Sequence, residues 1–268
     1  MAPETAAIEP TQWGESEIRG PVHLFREGLL LRLFGGMLAS GRVLDAGCGS
    51  GSLAFDLCRL GYQVEGVEFA AEFVDFIRSK AARLGCEEQL AVRQGSVTDL
   101  DFPAASFDGL VCGEVLEHLS PAEGGDVAAL KEFHRVLKPG GACVISVPLN
   151  PALWDHSDEW AGHVKRYTRE DLADLFTVQG FAIERMCSWG FPFGRLYHRL
   201  LFAPYLRRTS GQGLEQREGR LDTRAAGNPQ LVKLVAGLLR FDELFGRWSW
   251  GRGVVVCARS LEGFAANE

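Results

Sequence analysis

Residues Val43–Ser52 read VLDAGCGSGS, an apolar run that leads into a turn with three glycines and then into a helix-forming segment. Glycine lets the backbone approach a bound molecule closely, because it has no side chain. A turn of this kind at the carboxyl end of the first strand is where an open α/β sheet binds its ligand. The stretch therefore predicts an α/β domain with a ligand site at Gly47, Gly49 and Gly51.

The rest of the chain alternates short β-type runs with helical stretches, which implies βαβ units and a parallel sheet. Residues Lys138–Gly141 (KPGG) are expected to stop a helix and turn into the next strand. An amphipathic helix is also predicted at 22–39, ahead of the first strand. The predicted strands are 43–45, 63–67, 91–93, 109–112, 142–147, 181–187 and 253–259. The other predicted helices lie near 53–60, 71–84, 126–137 and 168–178.

The charges around the glycine turn favour a cationic ligand over a phosphorylated one. A dinucleotide site needs G-x-G-x-x-G, but here Ser52 occupies the position of the third glycine. Asp45 places a carboxylate in the loop, where it repels a pyrophosphate and suits a cation. S-adenosylmethionine carries an ammonium and a sulfonium and no phosphate, so charge favours it over NAD. Glu68, at the end of the second strand, can accept hydrogen bonds from both ribose hydroxyls of either molecule.

Four segments resemble the motifs of class I S-adenosylmethionine-dependent methyltransferases. Val43–Gly51 resembles their motif I, and Phe107–Cys112, Glu114–His118 and Arg135–Gly141 resemble their later motifs. The resemblance covers about residues 40–190 and is nearest to the ubiquinone-type O-methyltransferases and related small-molecule methyltransferases. It implies a Rossmann-like, seven-stranded, mostly parallel sheet with an antiparallel last strand. It also implies methyl transfer to a hydroxyl of a small, apolar or natural-product acceptor.

The same resemblance assigns residues to S-adenosylmethionine. The glycine turn lies under the methionine part, Asp45 holds the amino group and Glu68 holds the ribose. Phe69 flanks the adenine. In full, the expected cofactor-binding residues are Asp45, Gly47, Cys48, Gly49, Gly51, Glu68, Phe69, Ser96, Val97, Gly113 and Glu114.

Glu114, Glu117 and His118 form the pattern E-x-x-E-H. In a helix these residues share a face, and they could then hold a divalent ion such as Mg²⁺. Matching residues in the ubiquinone-type enzymes are implicated in Mg²⁺ binding. The alternative is a helix start at the cofactor pocket, with His118 hydrogen-bonded locally. Small-RNA 2′-O-methyltransferases add a second histidine soon afterwards, which Leu119–Glu123 lacks.

A second histidine-bearing segment, Gly162–Thr168, precedes a predicted helix. Thr168 and Asp171 have the spacing of a capping box. In the related enzymes this segment lies over the mouth of the active site, which makes His163 a candidate general base. A structural loop histidine is the alternative. His118 and His163 are the two candidate catalytic residues.

The long segment 189–252 interrupts the alternation and is expected to be a helical insert between the last two strands. The predicted division is an N-terminal tail and helix (1–40), a cofactor-binding core (41–188), this insert, and a last strand with its tail (253–268). Residues 1–12 are expected to be disordered, and Arg207–Asn228 to form a loop. The insert could cap the substrate pocket, pack on the sheet edge, or form a homodimer contact. Its arginines also suggest peripheral membrane contact through 189–208.

Composition limits the remaining alternatives. The net charge of −7 disfavours a nucleic-acid partner, so a small-molecule acceptor is expected. Seven scattered cysteines and the lack of a signal or membrane segment predict a cytoplasmic protein. An N- or C-methyltransferase of a natural product or sugar, a non-catalytic cofactor-binding protein, and a nicotinamide oxidoreductase remain alternatives.

Overall fold

A computed structural model describes residues 20–209 and 229–264. Its sheet has seven strands in the order β3-β2-β1-β4-β5-β7-β6. Strands β1 to β5 run parallel, and β7 lies antiparallel between β5 and β6. The predicted mostly parallel Rossmann-like sheet with an antiparallel last strand is therefore confirmed. The strands are β1 (Arg42–Ala46), β2 (Gln63–Glu68), β3 (Leu90–Gln94), β4 (Phe107–Gly113), β5 (Leu137–Pro148), β6 (Phe181–Trp189) and β7 (Gly253–Ser260).

The helices connect the strands in the βαβ manner, and the predicted helices are all present. The insert between β6 and β7 is helical in its described part. The helices are α1 (Pro21–Met37), α2 (Ser52–Arg59), α3 (Ala71–Leu84), α4 (Gly125–Val136), α5 (His156–Ala161), α6 (Arg169–Val178), α7 (Phe193–Tyr197), α8 (Ala203–Thr209) and α9 (Pro229–Leu239). A π-helical turn at His198–Phe202 joins α7 to α8, and Arg240–Phe245 is a 3₁₀ helix.

Helix α1 is part of the hydrophobic core. Phe25, Leu29 and Phe34 are buried on it, in the same apolar cluster as Ala236 and Leu239 of α9. Burial of such side chains contributes roughly 1.5–3 kcal/mol each. The second helix of the insert therefore packs against α1, and α1 is held in place above the sheet.

Two predicted segment boundaries differ from the structure. Helix α4 ends at Val136 as expected, but residues 138–141 do not precede the strand as a turn. They form a bulge within β5, because Phe107 pairs with Leu137 whereas Gly109 pairs with Ala142. Arg207–Thr209, expected in a loop, belong to α8. The predicted disorder of 1–12 and the loop over 210–228 lie outside the described residues.

The fold brings one end of each of the seven strands to the same edge of the sheet. Strands β1 to β5 end there, because they are parallel. Pro148 of β5 pairs with Gly253 of β7, which pairs with Trp189 of β6. The end of β6 and the start of β7 therefore lie at the same edge, where an open α/β sheet binds its ligands.

Candidate functional site

The glycine turn follows β1 and is fixed to the neighbouring strand. The amides of Gly47 and Cys48 both donate to the carbonyl of Val67, at 2.8 and 3.0 Å. Gly47 has a φ of 75°, and a Cβ atom there would lie 2.5 Å from a methyl group of Val115. A larger residue would therefore be strained and would push the turn away from β4. The sequence-predicted turn has the conformation that a close approach to a ligand requires.

Glu68 ends β2 beside this turn. Its Oε2 accepts a hydrogen bond from the amide of Gly49 at 2.8 Å, and its Oε1 accepts one from the amide of Ala70 at 3.0 Å. These bonds fix the orientation of the Glu68 carboxylate at the rim of the turn, and a carboxylate can accept several hydrogen bonds. The next residue, Phe69, is 74% exposed. An exposed ring at this position can stack on a planar ligand.

A small cavity of about 30 Å³ lies at the methionine end of the expected cofactor site. Four of the residues expected to bind the cofactor line it: Asp45, Gly47, Cys48 and Gly113. Asp45 is 1% exposed, so its carboxylate lies within the floor of the site. The volume is about that of one water molecule.

The sequence did not assign the opposite wall of this cavity, which belongs to α1. His23, Arg26 and Glu27 line it together with Ser52 of α2. The hydroxyl of Ser52 donates to Glu27, and the guanidinium of Arg26 lies 3.5 Å from Glu114. The sequence signal that could have indicated this wall is the spacing of residues 23, 26 and 27. Residues three and four apart in a helix lie on the same face.

Ser96 and Val97 follow β3 and Gly95. Ser96 is half-buried and its hydroxyl lies 2.8 Å from that of Thr98. The side chain of Val97 is buried in the core beneath the sheet. Only the backbone of Val97 can therefore border a ligand, whereas Ser96 can present a side chain.

The E-x-x-E-H segment is not a continuous helix. Glu114 has a φ of 58°, and a 3₁₀ helix begins only at Leu116. The prediction that Glu114, Glu117 and His118 share a helical face is therefore wrong. The amide of Glu114 donates to the carbonyl of Ser146 at 2.9 Å, which ties Glu114 to the end of β5. Its side chain faces Arg26 of α1.

His163 takes the place in the cluster that Glu114 was expected to fill. Ligand atoms of Glu117, His118 and His163 lie within 4.8 Å of one another. His163 Nε2 is 3.9 Å from Glu117 Oε1, and the two imidazole rings meet edge to face at 4.9 Å. The amide of Val164 donates to the carbonyl of Glu117 at 2.8 Å. This backbone bond fixes the His163 loop over the 3₁₀ helix.

Burial governs the protonation states in this cluster. Burial and the neighbouring Glu114 raise the pKa of Glu117 well above its usual range. Neither carboxyl oxygen of Glu117 has a hydrogen-bond partner among the described residues. Burial and the nearby His163 lower the pKa of His118 to about 4. His118 is therefore neutral near pH 7 and is a weak proton acceptor there.

Asp158 orients His163. Its Oδ1 lies 2.8 Å from His163 Nδ1 and accepts a hydrogen bond from Arg166 Nε at 2.8 Å. Burial raises the pKa of Asp158, but the hydrogen bonds from His163 and Arg166 outweigh burial and keep the pKa below its usual value. An ionised Asp158 accepts a hydrogen bond from the Nδ1–H group of His163, so Nε2 is left as the unprotonated nitrogen of the neutral ring. Thr168 and Asp171 form the predicted capping box, which starts α6 just beyond this loop.

This donor set does not fit Mg²⁺. The ion prefers six oxygen ligands, whereas the cluster offers two imidazoles and one carboxyl group. Glu114, the second carboxylate of the predicted metal set, is not among the grouped ligands.

All seven cysteines are free thiols. Between residues 20 and 209 and between 229 and 264, no helix combines the length and the apolarity that crossing a membrane requires.

Sequence comparison relates the core to known proteins. Residues 44–145 match a family described as a methyltransferase domain. The chain is 42% identical over 113 residues to a ubiquinone biosynthesis O-methyltransferase of Xanthomonas oryzae pv. oryzae (strain PXO99A), covering 41% of this chain and 44% of that protein. The aligned part of the chain spans about half the length of the curated relatives it matches, from 44% to 57%. The predicted class I methyltransferase domain is confirmed by these matches.

Structural comparison supports the fold. The cyclase SpnF has a TM-score of 0.62 at 20% identity, covering 93% of this chain and 86% of that one. A geranyl diphosphate C-methyltransferase from Streptomyces coelicolor A3(2), solved with Mg²⁺, geranyl diphosphate and S-adenosyl-L-homocysteine, has a TM-score of 0.59 at 16% identity, covering 89% and 78%. At such identities the likeness establishes the fold alone.

Proposed function

We propose that this chain, whose residues 44–145 match a methyltransferase domain, is a class I S-adenosylmethionine-dependent enzyme that methylates a hydroxyl of a small, apolar acceptor. The observation that carries the proposal is the buried Asp45 carboxylate in the floor of the glycine turn, with Glu68 at its rim. This pair suits a cationic nucleoside and repels a pyrophosphate. Similarity to the ubiquinone-type enzymes favours oxygen as the nucleophile.

The residues around the turn have distinct tasks in binding. Asp45 holds the ammonium of the methionine part, and Glu68 holds the ribose hydroxyls. Phe69 flanks the adenine. Arg26 of α1 lines the same cavity, where its guanidinium is placed to pair with the carboxylate of the methionine part. Because the cavity is small, we expect α1 to shift when the cofactor enters.

The chemistry then needs alignment and a proton acceptor. When bound, S-adenosylmethionine supplies a methyl group that its sulfonium has already activated. The protein aligns the acceptor oxygen with that methyl group. His163 Nε2 takes the hydroxyl proton as the O–C bond forms and the C–S bond breaks, and Asp158 stabilises the resulting imidazolium. His118 is placed in the same cluster but holds a proton poorly at neutral pH.

Two measurements test this proposal. Isothermal titration calorimetry compares S-adenosylhomocysteine with NADH, and we expect only S-adenosylhomocysteine to bind. A cofactor-release assay then follows a panel of phenols, amines and sugars, and we expect turnover with phenols. Binding of NADH alone would refute the cofactor assignment. Turnover restricted to amines or sugars would favour the N- or C-methyltransferase alternative, and binding without any turnover would favour a non-catalytic protein.

Removal of divalent ions is expected to leave methyl transfer unchanged, because the donor set of the Glu117 cluster does not fit Mg²⁺. The rate of phenol methylation is measured before and after dialysis against EDTA, with S-adenosylhomocysteine affinity as the control for an intact protein. Loss of the rate with recovery on adding Mg²⁺ would contradict the prediction. Recovery with Zn²⁺ or Mn²⁺ alone would instead make the cluster a transition-metal site.

Other expectations remain predictions. The free thiols favour a reducing compartment, so we propose a cytoplasmic location. The four-part division of the chain, a homodimer, and membrane contact through 189–208 are also still proposals.

A further inference from the structure

A second and larger cavity of about 450 Å³ lies outside the cofactor site. It is formed between the segment after β5, the helices α7 and α8 of the insert, and the residue that precedes β7. These segments meet at the ligand-binding edge of the sheet, because Pro148, Gly253 and Trp189 are neighbours there. The volume is in the range of small-molecule sites.

The lining of this cavity is strongly cationic. Four arginines contribute to it: Arg195, Arg199, Arg207 and Arg252. Asp155 is the one acidic residue among the described lining residues. It is already engaged, because its Oδ2 lies 2.7 Å from His198 Nε2 and 3.3 Å from Arg252. Among the described lining residues there is therefore a clear excess of positive charge at neutral pH.

Two of these arginines have donors left over for a ligand. The Nε of Arg195 is buried without a hydrogen-bond partner among the described residues. The guanidinium of Arg195 lies over the Phe191 ring, 5.3 Å from the ring centroid, and this contact holds the guanidinium in place. Arg199 forms no ion pair with a described carboxylate. An unpaired buried donor is costly, so a ligand that accepts from Arg195 would relieve that cost.

The rest of the lining is apolar, with Leu153, Ala203 and Leu206 among its members. A ligand that fits both parts has an anionic end and a hydrocarbon part. Several guanidinium groups suit a doubly charged phosphate better than a singly charged carboxylate. Each guanidinium can donate two parallel hydrogen bonds to phosphate oxygens.

A chain of contacts links this cavity to the proposed catalytic cluster. Arg166 Nη1 donates to the carbonyl of Arg252 at 3.1 Å, while Arg166 Nε donates to Asp158. Asp158 in turn holds His163. The two sites are therefore linked through Arg166, which contacts a lining residue of the cavity on one side and Asp158 of the cluster on the other.

We propose that this cavity binds the phosphate group of an apolar phosphoester, and that the phosphate is the anionic end of the molecule methylated at the Glu117 cluster. The second part rests on the proposed methyltransferase function, whereas phosphate binding itself does not. The same chemistry would bind the headgroup of an anionic phospholipid, so the experiment separates the two sources.

The test uses the full-length chain and decyl phosphate below its micellar concentration, measured by isothermal titration calorimetry. The double variant Arg195→Met and Arg199→Met is expected to bind decyl phosphate at least about tenfold more weakly, because two charge-assisted hydrogen-bonding groups are lost. Replacement of both by lysine should give an intermediate affinity. The matched control is Arg59→Met with Arg83→Met, two exposed arginines on α2 and α3, which should leave decyl phosphate affinity unchanged.

S-adenosylhomocysteine affinity is measured in every variant, so a failure of the cofactor assignment or of folding is seen separately. Co-sedimentation with phosphatidylglycerol vesicles forms the second arm. If the wild-type chain does not bind free decyl phosphate, and the Arg195→Met, Arg199→Met variant loses vesicle binding, the phosphate is that of a lipid headgroup. Equal decyl phosphate affinity in the wild-type chain and the methionine pair, without a change in vesicle binding, would overturn the proposal. So would equally tight binding of decyltrimethylammonium.

Discussion

Glu68→Ala is expected to weaken the binding of S-adenosylhomocysteine by about 10²–10⁴-fold, since two hydrogen bonds to a charged group contribute roughly 1.5–3 kcal/mol each. The carboxylate that would accept the ribose hydroxyls also accepts the amides of Gly49 and Ala70. Its removal therefore takes away the ligand contact and loosens the glycine turn. Isothermal titration calorimetry with S-adenosylhomocysteine measures the effect.

A matched control for this variant lies four residues along the chain. Glu72 is an exposed carboxylate in the first turn of α3, and Glu72→Ala should leave the affinity unchanged. Asp45→Ala should weaken binding in the same sense as Glu68→Ala, because Asp45 lies in the floor of the same cavity. Unchanged affinity in both Asp45→Ala and Glu68→Ala would refute the cofactor site.

The sheet and the glycine turn were predictable because their signals are local. Alternating strands and helices determine a parallel sheet, and the residues of Val43–Ser52 are contiguous in the chain. Glu68 was predictable for the same reason, because it directly ends the second strand. The capping box at Thr168 also depends on neighbouring residues alone.

The catalytic cluster was only partly predictable because it is assembled by contacts between distant segments. The spacing of E-x-x-E-H suggested a helical face, but the positive φ of Glu114 turns that residue away. No local pattern shows that the Val164 amide bonds to the Glu117 carbonyl and thereby brings His163 to Glu117. The roles of Asp158 and Arg26 likewise depend on tertiary packing.

The insert shows the same limit. The sequence indicated arginines and apolar residues along 189–208, which are compatible with a cap or a membrane contact. The cationic cavity also needs Arg252, from the far end of the insert next to β7, and Asp155, from the segment after β5. A composition signal within one segment cannot show that side chains from three segments face a common space.

His163→Asn is expected to lower kcat for a hydroxyl acceptor by about 10²–10⁴-fold, the usual contribution of a positioned general base. The affinity for S-adenosylhomocysteine should remain unchanged, because His163 is not among the residues that line the cofactor cavity. His118→Asn should lower kcat less than about tenfold, since burial and His163 lower the pKa of His118 to about 4. Steady-state kinetics with the phenol that reacts best in the cofactor-release assay measures both variants.

The control for these variants is His134→Asn on α4, whose imidazole contacts the carbonyl of Leu261 and lies outside the cluster. It should retain wild-type kcat. A neutral amine needs no base until late in its reaction, so the His163→Asn loss should be confined to hydroxyl acceptors. An equal loss in His118→Asn and His163→Asn would contradict the assignment of His163, because the difference between the two imidazoles is that Asp158 orients one and burial weakens the other as a base.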